Sequence, residues 1–130
     1  MSTNHRRMEL GHRRTDLRRR LAESVLRGDK TATASLRDEY APNTDEALPE
    51  VGEQLLLVGW DDEPLGVVET IEVRVVPASQ VDLRFARDEG EGLESVADWR
   101  AAHERFWSDR AIADETLVVC ERFRLIARFG

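Results

Sequence analysis

The chain has 130 residues, of which 41% are hydrophobic and 35% charged, and its formal net charge is −7. This length fits one domain with a single core, and the composition excludes a disordered or fibrous protein. No apolar run approaches the ~18 residues that a membrane helix needs, and the N-terminus lacks the apolar stretch of a signal peptide, so we expect a cytoplasmic protein. The only cysteine, Cys120, excludes an internal disulfide and lies in an apolar run, which favours a core position.

The N-terminal segment is basic, whereas the remainder of the chain is acidic. Residues 1–20 carry seven arginines against Glu9 and Asp16. We interpret residues 1–13 as a flexible, Arg-rich arm and residues 14–130 as the folded domain. Such an arm could contact phosphates in a nucleic-acid complex, but blocks of like charge are more commonly solvated tails, and we favour that interpretation.

The first predicted elements are a helix and a strand. Leu17, Leu21 and Val25 recur every four residues, which indicates an amphipathic helix. Thr15 is suited to its N-cap and Gly28 to its C-terminal end. Residues 31–36 then alternate small apolar with hydroxyl side chains, as in a half-buried strand, and residues 38–53 read as a long loop.

A hairpin and two further helices follow. Residues 54–60 and 65–76 are predicted strands joined by a turn at 61–64. Glu69 falls among the apolar positions of the second strand, either near an open strand end or in a polar pocket. We expect a short helix from Val81 to about Glu89, a helix from Ser95 to about Arg110, and a closing strand over 116–127. These few, irregularly placed helices predict an α+β fold with a small mixed sheet or barrel.

Three motifs, in this order, resemble those of the ASCH domain family. A helix leads into a Gly-x-Lys-x-x-Thr turn at residues 28–33, an acidic Glu-Gly-Glu-Gly segment occupies 89–92, and a Trp-x-x-x-His helix follows at 99–103. The closing Val-Val-Cys-Glu-Arg-Phe at 118–123 is also similar to a bacterial branch of this family. The resemblance spans about residues 15–127 and implies a PUA-like, small mixed β-barrel flanked by helices, whose cleft binds RNA or nucleotide-like ligands.

The resemblance implies several activities. One group of short members is known as amidohydrolases that remove the acetyl group from N4-acetylcytidine with a lysine, a threonine three residues later and a distant glutamate. These positions correspond to Lys30, Thr33 and Glu89. Other relatives resemble ribonucleases or noncatalytic RNA-binding modules, so the fold alone does not select the activity. The chain departs from the short hydrolase form at Ser35, where that form has arginine, and in the long 38–53 loop.

Lys30 is the only lysine beside eighteen arginines. Unlike a guanidinium, an ammonium can lose its proton when desolvated and act as a base. Lys30 could therefore take a proton from Thr33 or from water, or it could stay charged and hold a phosphate or a developing oxyanion. Residues 30 and 33 would point to opposite faces of an ideal strand, so a turn or bulge between them is required.

Glu89 and Glu91 place two carboxylates at a predicted helix end. Glu89 could carry a proton or accept a hydrogen bond from the exocyclic amine of a base, although a solvated helix end is equally compatible. His103 shares an apolar stripe with Trp99 and Phe106, which favours a hydrogen-bonded core histidine over a cleft residue.

The remaining candidates would contact the substrate. Tyr40 and Trp60 could stack on a base or simply pack in the protein. The full expected set of substrate or RNA contacts is Thr31, Ser35, Tyr40, Trp60, Glu91 and His103. No His/Cys cluster has metal-ligand spacing and no Gly-rich phosphate loop follows a strand, so we expect no metal and no cofactor. The expected partner is RNA or a modified nucleoside.

Overall fold

The computed structural model describes residues 6–130, within which five strands form one mixed sheet. The strands are β1 (Arg6–Met8), β2 (Ala32–Leu36), β3 (Gln54–Val58), β4 (Pro64–Pro77) and β5 (Leu117–Arg128). Their order is β1-β3-β4-β5-β2, with β1 parallel to β3 and the other pairs antiparallel. The sheet curls into a half-barrel, and the predicted α+β class is confirmed.

Three helices accompany the sheet in the described part of the chain: α1 (Asp16–Arg27), α2 (Leu83–Asp88) and α3 (Val96–Phe106). The predicted ends of α1 are confirmed, because the Thr15 side chain accepts a hydrogen bond from the Arg18 amide and Gly28 has a φ of 86°. The predicted end of α3 at Arg110 is wrong. The helix stops at Phe106 because Trp107 leaves the helical conformation and buries its ring in the core.

The expected flexible arm is wrong for the described part of residues 1–13. Arg6–Met8 form β1, which pairs in register with 55–57 of β3. Met8 and Leu10 are buried in the core cluster beneath α1. Two apolar side chains among the arginines therefore anchor this segment, while residues 1–5 lie outside the described residues.

Two apolar clusters stabilise the fold. One lies between the sheet and helices α2 and α3 and contains Trp99, Phe85 and Cys120. The predicted core position of Cys120 is confirmed, and burial raises the pKa of its thiol to about 12. The other cluster packs Val25 of α1 against β1, β3, β4 and Phe123 of β5.

The two edge strands of the sheet are β1 and β2. Because the sheet curls, side chains of both edges line the same cavities, and a cleft remains between them. Glu69, whose position the sequence left open, forms a surface ion pair with Arg124 at 2.6 Å and lies outside this cleft. Among residues 6–130, no helix is long and apolar enough to cross a membrane.

Candidate functional site

The cleft beside β2 contains a cavity of about 680 Å³. The turn before β2, strand β2 itself, the segment after α2 and helix α3 all contribute to its wall. Six of the predicted site residues line it: Lys30, Thr33, Ser35, Glu89, Glu91 and His103. The fold therefore brings together side chains that are up to 73 positions apart in the sequence (103 − 30 = 73).

Lys30 lies in the turn between α1 and β2, before the strand begins at Ala32. Because Lys30 lies in this turn and not in the strand, its side chain need not point away from that of Thr33. Both residues line one cavity. Lys30 is 2% exposed, and its Nζ atom donates to the carbonyls of Ala32 at 2.8 Å and Glu89 at 3.2 Å. A third contact reaches the Glu91 carboxylate at 3.5 Å. All three donors of the ammonium thus face oxygen acceptors.

Gly90 allows the segment after α2 to approach this turn. Its φ is +70°, and a Cβ atom added there would lie 2.5 Å from the Asp29 carbonyl oxygen and 2.8 Å from the Lys30 Cα. Only glycine fits so close a backbone contact without strain. The approach places Glu89 and Glu91 on either side of a backbone that touches the lysine turn.

Glu89 is a buried carboxylate with one free oxygen. It is 1% exposed, and its Oε2 atom accepts a hydrogen bond from the Trp99 indole Nε1 at 3.2 Å. The same oxygen lies 3.2 Å from Nε2 of His103. Oε1 has no hydrogen-bond partner among the described residues. An unpaired buried carboxylate oxygen is costly, and a ligand donor in the cavity would satisfy it.

His103 is oriented by the backbone of its own helix. Its Nδ1 atom lies 2.9 Å from the Trp99 carbonyl, and its ring stacks on the Trp99 indole at a centroid distance of 4.2 Å. A carbonyl only accepts, so Nδ1 carries a hydrogen and the contact from Nε2 to Glu89 needs a further proton. Burial lowers the pKa of His103, but the hydrogen bond and charge of Glu89, together with the Trp99 carbonyl and the charge of Glu91, raise the pKa overall.

One oxygen each of Glu89 and Glu91 and one ring nitrogen of His103 lie within 4.8 Å of one another. Such a group could hold a divalent cation, although the sequence spacing did not indicate a metal site. The Lys30 ammonium already contacts Glu91, and a protonated His103 would balance Glu89. Two positive groups therefore already compensate the two carboxylates, so the charges are balanced when the cleft contains only its own side chains.

Thr33 and Ser35 point to the concave face of β2, where a second, smaller cavity of about 260 Å³ adjoins the first. Tyr40 lines this smaller cavity, and its hydroxyl lies 2.7 Å from the Ser35 hydroxyl. Burial raises the pKa of Tyr40. Tyr40 therefore lies in the adjoining cavity and does not line the larger cavity with Lys30, Thr33 and Glu89.

Two predicted contacts lie elsewhere. Trp60 is 36% exposed at the β3–β4 turn, where the Arg19 guanidinium lies 5.5 Å above its ring. Thr31 points away from the cleft, and its hydroxyl donates weakly to the Asp88 carbonyl at 3.4 Å. Neither lines the two cavities of the cleft.

Two residues of the site were not singled out from the sequence as site residues. Trp99 supplies both the indole donor to Glu89 and the carbonyl that orients His103. Glu121 is a buried carboxylate in the wall of the smaller cavity. Its position in the sequence contained a signal, because an acidic residue on the same face of a strand as Val119 and Phe123 must find a polar environment.

Most of the arginines in residues 1–20 are engaged within the protein, whereas Arg20 lines the larger cavity. Arg6 forms ion pairs with Glu46 and Glu53. Four further arginines form ion pairs with Asp61 or Asp62 of the β3–β4 turn. The arginines paired with that turn are Arg7, Arg13, Arg14 and Arg18. These charges stabilise the entry to the fold, which reduces their availability for phosphate contacts.

Comparisons with known proteins agree on one family. The sequence model of the ASCH domain matches residues 7–127. The crystal structure of an ASCH domain from Lactobacillus crispatus superposes with a TM-score of 0.74 at 32% identity, covering 83% of this chain and 71% of that one. A protein from Enterococcus faecalis superposes with a TM-score of 0.84 at 27% identity, covering 98% and 79%. A search of curated proteins gave no significant match.

Proposed function

This chain belongs to the ASCH domain family, and on that premise we propose that its cleft binds a cytidine-like nucleoside and hydrolyses an N-acyl amide on the base. The observation that carries this proposal is Glu89, whose Oε1 atom is buried without a hydrogen-bond partner among the described residues and whose side chain lines the same cavity as Lys30 and Thr33. An acceptor and a cation on one cavity wall suit an amide, which has an N–H to donate and a carbonyl oxygen to stabilise.

In this mechanism Lys30 acts as a cation. Its Nζ atom already faces three oxygen acceptors, so we assign it as a hydrogen-bond donor to the carbonyl oxygen of the acyl group rather than to proton abstraction. The developing oxyanion would replace the longest of these contacts, to Glu91 at 3.5 Å. We therefore propose the cationic role among the two roles that the sequence left open for the lysine.

Glu89 would carry the proton. Water held by the Thr33 hydroxyl attacks the acyl carbon while Oε1 of Glu89 takes a proton from that water. Collapse of the tetrahedral intermediate breaks the C–N bond, and Glu89 returns the proton to the departing exocyclic amine. Water and the N-acyl nucleoside are consumed, and the free amine and a carboxylic acid are formed; the acid then releases its proton to solvent.

His103 would hold Glu89 in position. A proton on Nε2 makes the ring an imidazolium, which donates to Oε2 of Glu89 and leaves Oε1 without a partner in the described part of the chain. His103 therefore acts as a positioning residue through Glu89. The expected cytoplasmic location belongs to the same proposal, because RNA and its nucleosides are found there.

The test is to incubate purified protein with N4-acetylcytidine and to follow acetate release, with Lys30→Met as the inactive control. Met keeps most of the length and the apolar part of the side chain but removes the ammonium group. Release by the wild type and its loss in the variant support the proposal. No release by the wild type, or equal release by both, rejects it.

Noncatalytic RNA binding and RNA cleavage are the alternatives that the family allows. The N-terminal arginines that pair with acidic side chains are less available for RNA phosphates, so these ion pairs support neither alternative. Labelled single-stranded RNA in the same assay separates them from the proposal. RNA binding with a steep salt dependence and no acetate release would favour a binding module, and shortened RNA would favour a nuclease.

A further inference from the structure

The smaller cavity continues directly from the larger one. Its volume is about 260 Å³, and β1, β2 and β5 contribute to its wall. The two cavities share five lining residues: Glu9, Leu10, Thr33, Ala34 and Ser35. A ligand with its reacting group beside Lys30 can therefore extend past Thr33 into this second space.

Glu121 is a buried carboxylate in the wall of the smaller cavity, and it takes no part in the proposed reaction. It is 6% exposed, and it pairs with Thr33 across β2 and β5, so both side chains point to the same concave face. Its Oε2 atom accepts from the Thr70 hydroxyl at 2.8 Å. Thr70 is its only hydrogen-bond partner among the described residues, and Oε1 remains for another donor.

The hydroxyls of Ser35 and Tyr40 lie in the same wall. Their oxygens are 2.7 Å apart, so one hydroxyl donates to the other and a single O–H remains free. Together with Glu121 the wall offers both an acceptor and a donor. Vicinal hydroxyl groups, each of which donates and accepts, match this combination.

The charges of the cavity disfavour a phosphate. Its arginines are engaged, since Arg6 binds Glu46 and Glu53 and Arg7 lies 3.3 Å from Asp62. Glu121 adds a carboxyl group to the wall, and burial raises its pKa although Thr70 opposes the shift. A neutral ligand rich in hydroxyls meets no repulsion in either protonation state of Glu121.

We propose that the smaller cavity is a subsite for the sugar of the nucleoside, in which Glu121, Ser35 and Tyr40 bind the ribose hydroxyls. Carboxylates bind ribose diols in this way in dinucleotide-binding folds. The inference rests on the proposed function, because it assigns the second part of the same ligand. It makes these three residues the determinants that distinguish a nucleoside from a free base.

The test measures the binding of cytosine, cytidine and 2′-deoxycytidine by isothermal titration calorimetry. These product-like ligands avoid turnover, so binding is read without hydrolysis. The wild type should bind cytidine about tenfold more tightly than cytosine, which corresponds to one or two net hydrogen bonds, with deoxycytidine in between. The variants are Glu121→Gln and Tyr40→Phe, and two variants keep the test valid if one fails to fold.

A fall of the cytidine-to-cytosine ratio in either folded variant, with cytosine affinity unchanged, supports the subsite. Equal affinities of the wild type for cytidine and cytosine, or a ratio preserved in both variants, overturn it while leaving the proposed function intact. Failure of the wild type to bind any of the three ligands rejects the subsite and the proposed function together.

Discussion

Nε2 of His103 lies 3.2 Å from Oε2 of Glu89, and this contact joins α3 to the segment that follows α2. Since Nδ1 of the same ring faces the Trp99 carbonyl at 2.9 Å, a neutral ring would direct a lone pair at the carboxylate. The protonation state of His103 therefore determines the strength of this junction.

We expect His103 to titrate above its ordinary pKa of 6.5. Burial alone would lower this pKa, but the hydrogen bond and charge of Glu89, with smaller contributions from the Trp99 carbonyl and Glu91, together raise it. The stabilisation from a raised pKa is complete below the unfolded value and is lost as pH rises through the folded value. NMR titration of the ring should show the raised pKa, and Glu89→Gln should lower it. An unchanged titration in that variant would contradict the assigned contact.

Gly90→Ala should be more destabilising than Gly92→Ala. Both glycines have positive φ angles, +70° and +77°, so alanine at either position costs about 1 kcal/mol of backbone strain. Only at Gly90 would the new Cβ meet the Asp29 carbonyl, at 2.5 Å, and this adds about 2 kcal/mol. Urea unfolding of both variants measures the difference. Equal losses would mean that the approach of the two segments is not tight.

Arg18→Ala should lower the free energy of unfolding by about 3 kcal/mol, because a buried charged network loses its cation. Arg18 is 1% exposed and donates to the carbonyls of Leu10, Gly11 and Gly59. These contacts hold the segment before α1, which lines both cavities, so ligand binding should weaken too. Arg19→Ala, on the same helix, should cost less than about 1 kcal/mol. Similar losses in the two variants would contradict this role.

Glu121→Gln should make stability less dependent on pH. Burial raises the pKa of Glu121 above its ordinary value of 4.5, so the folded protein binds this proton more tightly than the unfolded chain. Wild-type stability is therefore lost as pH rises from about 4.5 through the folded pKa, and the variant lacks this loss. Thermal unfolding of both proteins from pH 4 to 8 tests the sign. Parallel curves would refute it.

The sequence predicted the helices and most of the strands because the capping residues and apolar spacing that specify them lie within or next to each element. The cap at Thr15 and the end at Gly28 depend on neighbouring residues only. The strand at residues 6–8 escaped prediction because it depends on a parallel pairing with β3, some 49 positions away (55 − 6 = 49), which the run of arginines obscured.

The candidate site was predicted only in part, because its geometry also depends on contacts between distant segments. The family resemblance pointed to Lys30 and Glu89, and residue type made His103 a candidate, but their proximity depends on the left-handed conformation of Gly90 and on the packing of Trp99. Trp60 looked equally suitable, yet it lies in the β3–β4 turn, outside the two cavities, where the Arg19 guanidinium packs over its ring. Residue chemistry identified candidates, and tertiary packing selected among them.

The most direct measurement of the central claim compares N4-acetylcytidine hydrolysis by the wild type, Glu89→Gln and Glu91→Gln. Both variants replace a cleft carboxylate by its amide, but only Glu89 offers a buried, unpaired oxygen. We predict that kcat falls at least about 100-fold in Glu89→Gln, the usual loss for a general base, and less than about tenfold in Glu91→Gln. Similar rates in Glu89→Gln and the wild type would contradict the account.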